Sequence, residues 1–351
     1  MMKMKKYSIL VAAFAVLAFV GCKKDNNGSL VADQNGMITL EMSGETHQDN
    51  GKQSFYGTAN RIFFDEGDQM IVNGSVCNVT PLAVTGDDLA TEYRSYKAKV
   101  SILAEYAYTP LYAMYPADVF TLGTAADYSD MTVEMYNDVD LFTVADNNVI
   151  LTGSSYQPWP MTAYLADLNT PRIQLKNNIA LVTPSVKFGY PFVNQFVQDF
   201  NIPATVDANN LPTLNIEKVV ISSSDQNLYG DNGYIDGLTT QEPKLVFPGT
   251  PTTPSAITCW VPADRGTGII ATGTSEWLLG NVAVPPMAAG KHVKMNVYFS
   301  LVFDGMDEPI DCLYEGDEIV LPNDRAIGRS RRATFVCNLF DADIDHKVSL
   351  Q

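Results

Sequence analysis

Val293-Lys294-Met295-Asn296-Val297-Tyr298-Phe299-Ser300-Leu301 places an apolar residue at every second position, with polar or amphipathic residues between. Successive side chains of a strand point to opposite faces, so this run reads as a β-strand with one buried face. The same period of two recurs far upstream. Ile38, Leu40 and Met42 alternate with Thr39 and Glu41; Ala98, Val100, Ile102 and Ala104 alternate with Lys97, Lys99 and Ser101. Turn residues interrupt such runs at short intervals, as at Asn73-Gly74, Thr85-Gly86-Asp87, Asp231-Asn232-Gly233 and Asp304-Gly305-Met306-Asp307. A helical i, i+3, i+4 pattern is best developed at Phe192, Val193, Phe196, Val197 and Phe200, about two turns long. The chain is therefore expected to be all-β, folded as sandwiches or barrels.

The N-terminus carries a different signal. Lys3, Lys5 and Lys6 precede the apolar stretch Ile9 to Val20, and Phe19-Val20-Gly21-Cys22 follows the small residue Gly21 with a cysteine. A basic start, a short apolar region and small residues at the cut make a signal peptide, here of the bacterial lipoprotein kind. The stretch falls short of the ~20 apolar residues that cross a bilayer. Residues 1–21 are thus expected to be removed, with diacylglycerol on the Cys22 thiol and an acyl chain on its amine. Two or more chains anchor a protein stably, whereas one does so marginally. An ordinary secretory peptide with an incidental cysteine is the alternative. The polar residues from Lys23 to Gly28 read as a flexible leash, set at 22–36. The mature chain is expected to be lipid-anchored at the outer membrane and cell surface.

The chain carries a net charge of -17, which becomes about -20 without the leader's lysines. Phosphate binding depends on Lys and Arg, so nucleic acid is not an expected partner. The remaining cysteines, Cys77, Cys259, Cys312 and Cys337, are widely spaced and lack a C-x-x-C pair, which argues against a zinc site. They read either as disulfides, in a pairing that sequence leaves open, or as small buried apolar residues. The residues from Met37 to Gln351 exceed the usual 100–150 of one domain. A seam is expected at Asp167-Leu168-Asn169-Thr170-Pro171, giving domains at 37–171 and 172–351. The chain before it is acidic and rich in tyrosine; after it, Ile173-Gln174-Leu175 and Ile179-Ala180-Leu181-Val182 begin a new strand series. The Pro- and Thr-rich run from Phe247 to Pro254 reads as a long loop inside the second domain.

Catalytic chemistry finds little support. His47, His292 and His346 are the only histidines, and no G-x-S-x-G, H-E-x-x-H or P-loop occurs. The carboxylate groups Asp65/Glu66/Asp68 and Asp307/Glu308/Asp311 read as solvated turns, as expected in so acidic a chain. Asp225-Gln226-Asn227-Leu228-Tyr229-Gly230 with Asp236 partly matches a calcium loop, but Tyr229 stands where an oxygen ligand belongs. A hairpin loop is the plainer reading there. Asp341, Asp343, Asp345 and His346 read as a solvated tail. Trp159, Tyr156 and Tyr164 suggest either a glycan platform or a packed interface. Arg325, Arg329, Arg331 and Arg332 form the concentrated basic cluster. No catalytic residue, cofactor or metal is expected.

Several segments resemble the fimbrillin family, the type V pilins and their relatives. Arg61-Ile62-Phe63-Phe64-Asp65-Glu66-Gly67-Asp68-Gln69-Met70-Ile71-Val72 resembles the family's aromatic, Gly-Asp, strand signature. Tyr112-Ala113-Met114-Tyr115-Pro116, Pro160-Met161-Thr162-Ala163, Val284-Pro285-Pro286-Met287-Ala288-Ala289-Gly290-Lys291 and Ile327-Gly328-Arg329 resemble further family segments in the same order. The resemblance implies two tandem transthyretin-like Greek-key β-sandwiches. It implies a structural or adhesive fimbrial subunit: anchor, accessory or stalk. It also implies partners that are other fimbrial subunits, joined by strand exchange after a protease removes the first strand, with host or bacterial surface glycans or proteins as adhesion targets. Met37–Met42 is the candidate removable strand, and Lys52 and Arg61 are the candidate processing points. An uncut, lipidated anchor fits as well. The runner-up is a surface glycan-binding lipoprotein of a nutrient-uptake system.

Overall fold

The computed structural model describes residues 30–44, 64–83, 94–141, 159–169, 172–261, 268–270, 276–322, 326–341 and 347–351. Among them the chain is all-β, as expected. Its first half supplies β1 (Met37–Gly44), β2 (Phe64–Asp65), β3 (Gln69–Val72), β4 (Ser75–Pro81), β5 (Arg94–Ser95), β6 (Lys97–Leu103), β7 (Leu111–Tyr115), β8 (Phe120–Thr121), β9 (Thr132–Met135), β10 (Asp138–Asp140), β11 (Met161–Leu165) and β12 (Arg172–Asn177).

A closed barrel runs in the order β1-β12-β11-β7-β3-β4-β6. β1 closes it, pairing antiparallel with β6 and parallel with β12. Closure leaves no exposed ladder at that point. The alternation read in the sequence is obeyed: Ile38, Leu40, Met42, Ala98, Val100 and Ile102 all point into one core. The β3–β4 turn is Asn73-Gly74, with φ of 46° and 84°. Both values lie in the left-handed region that a two-residue hairpin of this hand requires, which is why Asn-Gly occupies it.

The seam expected at 167–171 falls between β11 and β12, and both are barrel strands. Met161 pairs with Asn177, and Ile173 and Leu175 are buried in the barrel core. The hydrogen-bonded ladder therefore continues past this point to Asn177.

The second half supplies β13 (Ala180–Phe188), α1 (Tyr190–Asp199), β14 (Thr213–Ser223), β15 (Gly230–Asp236), β16 (Lys244–Val246), β17 (Ser255–Trp260), β18 (Gly268–Ile270), β19 (Glu276–Leu278), β20 (Val282–Val284), β21 (His292–Val302), β22 (Ile310–Glu315), β23 (Ile319–Val320), β24 (Arg332–Leu339) and β25 (Val348–Leu350). One sheet runs β10-β17-β14-β21-β22-β25; the other is centred on β13, flanked by β19 and β20 on one side and β24 on the other. Val186, Phe188 and Cys337 from the second sheet share one core with Val219, Ile257 and Val297 from the first. α1 caps that core where the helical pattern was expected. Its rings Phe192 and Phe196 and the C-cap ring Phe200 form a ladder that Phe188 at the end of β13 extends, with successive centroids from Phe188 to Phe200 5.9, 5.8 and 4.8 Å apart. The i, i+4 spacing stacks the three rings from Phe192 to Phe200 on one helix face.

A third core joins the halves. β7 is buried at all five positions, because its second face, Tyr112 and Met114, packs against Val133, Met135, Ile235 and Leu245. These belong to a small sheet of order β16-β15-β9-β8. Asp231-Asn232-Gly233 does not form the expected turn there; it lies within β15. A Cβ on Gly233 would sit 2.7 Å from a Phe247 ring carbon and 2.9 Å from the Val133 carbonyl oxygen. Its glycine permits close strand approach, a use that looks like a turn signal in sequence.

Candidate strand-exchange site

β1 is set up by the turn before it. Asp33 Oδ1 accepts the backbone N–H of Asn35 at 2.8 Å and of Met37 at 2.9 Å, and Gly36 takes φ 75°. The strand then pairs Met37 through Ser43 with Leu103 through Lys97 of β6, and Glu41 through Gly44 with Arg172 through Leu175 of β12. Ile38, Leu40 and Met42 are buried. Burying three such side chains stabilises the fold by roughly 5–9 kcal/mol as an upper estimate. Without β1, the slot between β6 and β12 would present Val100, Ile102, Ile173 and Leu175 together with two unpaired backbone edges. That is the chemistry an incoming extended segment needs: ladder partners along the edges and pockets for alternate side chains.

The slot is buttressed by the first two resembling segments. Asp68 Oδ2 accepts the Tyr115 hydroxyl at 2.5 Å and the Asp65 N–H at 2.8 Å. The Phe64 ring meets that of Tyr115 edge-on, with centroids 5.1 Å apart. Gly67, at φ 95°, lets the chain turn into β3. β7 ends at Tyr115, just before Pro116, which has no N–H to give a ladder.

Other sequence candidates are placed as follows. Cys22, Lys52 and Arg61 lie outside the described residues, as do His47, Tyr156, Arg325 and His346. Cys77, Cys259, Cys312 and Cys337 are free, buried thiols. Burial pushes all four up, Cys312 to about 12, so none is a ready nucleophile. In the calcium-like segment, Asp225 turns to His292. Its Oδ2 lies 3.0 Å from His292 Nδ1, and its Oδ1 accepts the Ser223 hydroxyl. Asp236 pairs with Lys244 at 3.2 Å. The described residues contain no cluster of three potential metal ligands. Trp159 and Tyr164 pack against the third core, the interface alternative of the sequence reading. Arg329 donates to Glu242 within the second half at 3.0 Å and, across to the barrel, to the Asn177 carbonyl at 3.1 Å.

Sequence reading passed over one organising residue. Asn73 is buried, and its side chain donates to the carbonyls of Tyr106 and Tyr108 and accepts the Tyr112 N–H. Its only signal was the Asn-Gly turn. No helix among the described residues is long and apolar enough to cross a membrane.

No protein-family model and no curated protein matches the sequence. Solved structures similar to this chain include a candidate cell adhesion protein of Bacteroides ovatus, 13% identical, covering 89% of this chain and 94% of its own, at a TM-score of 0.37. Another, from Bacteroides fragilis, is 9% identical over 89% of this chain and 97% of its own, at 0.40. A fimbrial protein of Bacteroides ovatus is 11% identical over 86% of this chain and 48% of its own, at 0.25.

Proposed function

We propose that the chain is a fimbrillin-like cell-surface lipoprotein, a structural or adhesive subunit of a fimbria that assembles by β-strand exchange. The observation that carries this reading is the position of β1. It is the first described strand, it closes the barrel on both sides, and the leader and its Cys22 lie just upstream. A lipid on Cys22 would hold the subunit at the outer membrane while β1 stays in place. Cleavage after Lys52 or Arg61 would cut between β1 and β2 and free the slot for a neighbour's strand. In this reading the chain has two tandem transthyretin-like Greek-key units, the first built on the barrel strands β1, β3, β4, β6, β7, β11 and β12 and the second on the strands from β13 onward, with β10 added to its sheet. It performs no catalysis and needs no cofactor; its partners are other fimbrial subunits, the membrane through its lipid, and surface molecules of other cells.

The test is the intact mass of the protein recovered from native outer membranes. A lipidated N-terminus at Cys22 with β1 retained marks an anchor or accessory subunit. A start after Lys52 or Arg61 marks a polymerising stalk. A protein with neither lipid nor cut, which stays monomeric when treated with a trypsin-like protease, would sink the proposal.

A further inference from the structure

The inward positions of β1 set a loose condition on any strand that replaces it. Ile38, Leu40 and Met42 are buried, so a successor needs apolar side chains at the same three alternate positions. Many amphipathic strands meet that condition, because the hydrophobic effect follows apolar area and has no direction. Discrimination among them falls to the outward positions, where charge and hydrogen bonding decide.

The register fixes what those positions face. Thr39 lies opposite Ser101 of β6, with the two hydroxyl oxygens 3.1 Å apart. Glu41 lies opposite Lys99 of β6 on one side and Arg172 of β12 on the other. Ser43 lies opposite Lys97 of β6 and Gln174 of β12. Glu41, Lys97, Lys99 and Arg172 are all exposed, on the outer face of the barrel. Neighbouring strands lie about 4.8 Å apart, so side chains at opposed positions on one face feel each other's charge.

Three cations thus line the two rims of the slot, in a chain that holds 40 Asp and Glu against 23 Lys and Arg. β1 answers them with one carboxylate, Glu41, and places a serine opposite Lys97. A strand with carboxylates at both positions matches the rims better than β1 does. A strand with Lys or Arg there sets like charges side by side, which disfavours the pairing.

We propose that the slot selects its incoming strand by charge. The partner is an extended segment of another subunit, with apolar residues at the positions of Ile38, Leu40 and Met42 and carboxylates at those of Glu41 and Ser43. Lys99 and Arg172 read the first carboxylate, and Lys97 reads the second. The inference rests on the strand-exchange reading above and adds to it what the partner carries. Such a segment outmatches β1 at the rims, so exchange runs toward the complex once β1 is cut from the chain.

Fluorescent peptides test this by anisotropy on the full chain, cut between β1 and β2 with its β1 fragment still bound. The probes are the Met37–Gly44 sequence, its Ser43→Glu form and its Glu41→Lys form. The Ser43→Glu peptide should bind about two- to fivefold more tightly than the parent sequence, and the Glu41→Lys peptide about three- to tenfold more weakly, the scale of cross-strand charge pairs. Both differences should shrink as salt rises. Lys99→Glu in the protein should reverse the order of the parent and Glu41→Lys peptides. Lys99→Gln, a milder change, should narrow their gap if the charge reversal does not fold. Each comparison is a ratio between peptides on one protein, so competition from the resident fragment cancels. Equal binding of the three peptides, or a gap that Lys99→Gln leaves unchanged, overturns the charge rule and leaves strand exchange standing. Binding of none overturns both.

Discussion

The Tyr115 hydroxyl donates to Asp68 Oδ2 across 47 positions of sequence, and so joins the Gly-Asp turn before β3 to the end of β7. Both residues belong to segments that carry the family resemblance, and the structure supplies a physical reason they occur together. Asp68 shapes the turn through the Asp65 N–H, and Tyr115 ties that turn to the barrel. Tyr115→Phe should destabilise the protein by about 1.5–3 kcal/mol, the range for a hydrogen bond to a charged group. Urea unfolding should show a lower midpoint at unchanged slope. An unchanged midpoint would mean the bond contributes nothing net.

Leu40 is fully buried at the middle of β1. Leu40→Ala should cost about 2–5 kcal/mol. If the strand closes the barrel as described, amide exchange should rise in β6 and β12 ahead of β21. Uniform acceleration over the whole chain would show that β1 is not a separable element.

The His292–Asp225 contact makes a pH prediction. The hydrogen bond that the imidazole donates to Asp225 raises it above its ordinary 6.5, against a smaller opposing effect of burial. Burial pushes the Asp225 carboxyl up, but hydrogen bonds from His292 and the nearby Lys291 charge outweigh it and hold the carboxyl below its ordinary 3.8. The raised imidazole contributes stability below 6.5 that disappears as pH rises through its folded value. The depressed carboxyl contributes stability above 3.8 that disappears as pH falls through its folded value. The contact is therefore strongest between these limits. Asp225→Asn should lower the His292 midpoint in an NMR titration; a midpoint that stays put would remove Asp225 as the cause.

Gly233 should not tolerate a side chain. Gly233→Ala would press a methyl against Phe247 and the Val133 carbonyl, at a cost of about 1–3 kcal/mol typical of overpacking. Chemical denaturation checks this. A neutral result would mean that β9 and β15 part easily.

The four thiols should be silent in the native protein. Their burial predicts no reaction of Cys77, Cys259, Cys312 or Cys337 with a disulfide exchange reagent until the chain unfolds, and no change of melting temperature with reductant. Rapid labelling under native conditions would contradict the packing of β4, β17, β22 and β24.

Much of this fold is legible in local pattern. Alternation in β1, β6 and β21 reports which side chains face a core, since a strand has a period of two. It does not report which strand lies next door. The parallel pairing of β1 with β12 closes the barrel, and it brings together segments more than 130 positions apart; no local signal encodes it. β7 is buried on both faces, so Leu111-Tyr112-Ala113-Met114-Tyr115 shows no alternation, and the third core stayed hidden. Gly233 misled for the opposite reason, since glycine serves both turns and close strand contacts. The role of Asn73 becomes visible only when the β3–β4 turn meets the loop after β6.

Asn178 and Ile179 are all that separate β12 of the barrel from β13 of the sandwich, and both are buried. The connection is pinned from three directions, by the Pro160 carbonyl, the Leu245 N–H and the Ser330 N–H. A pull applied between the two ends of the molecule thus meets no slack tether at its middle. Tension passes from one β-ladder straight into the next, where neighbouring hydrogen bonds share the load, and the two halves would yield mechanically as a stiff rod before they could swing as beads on a string.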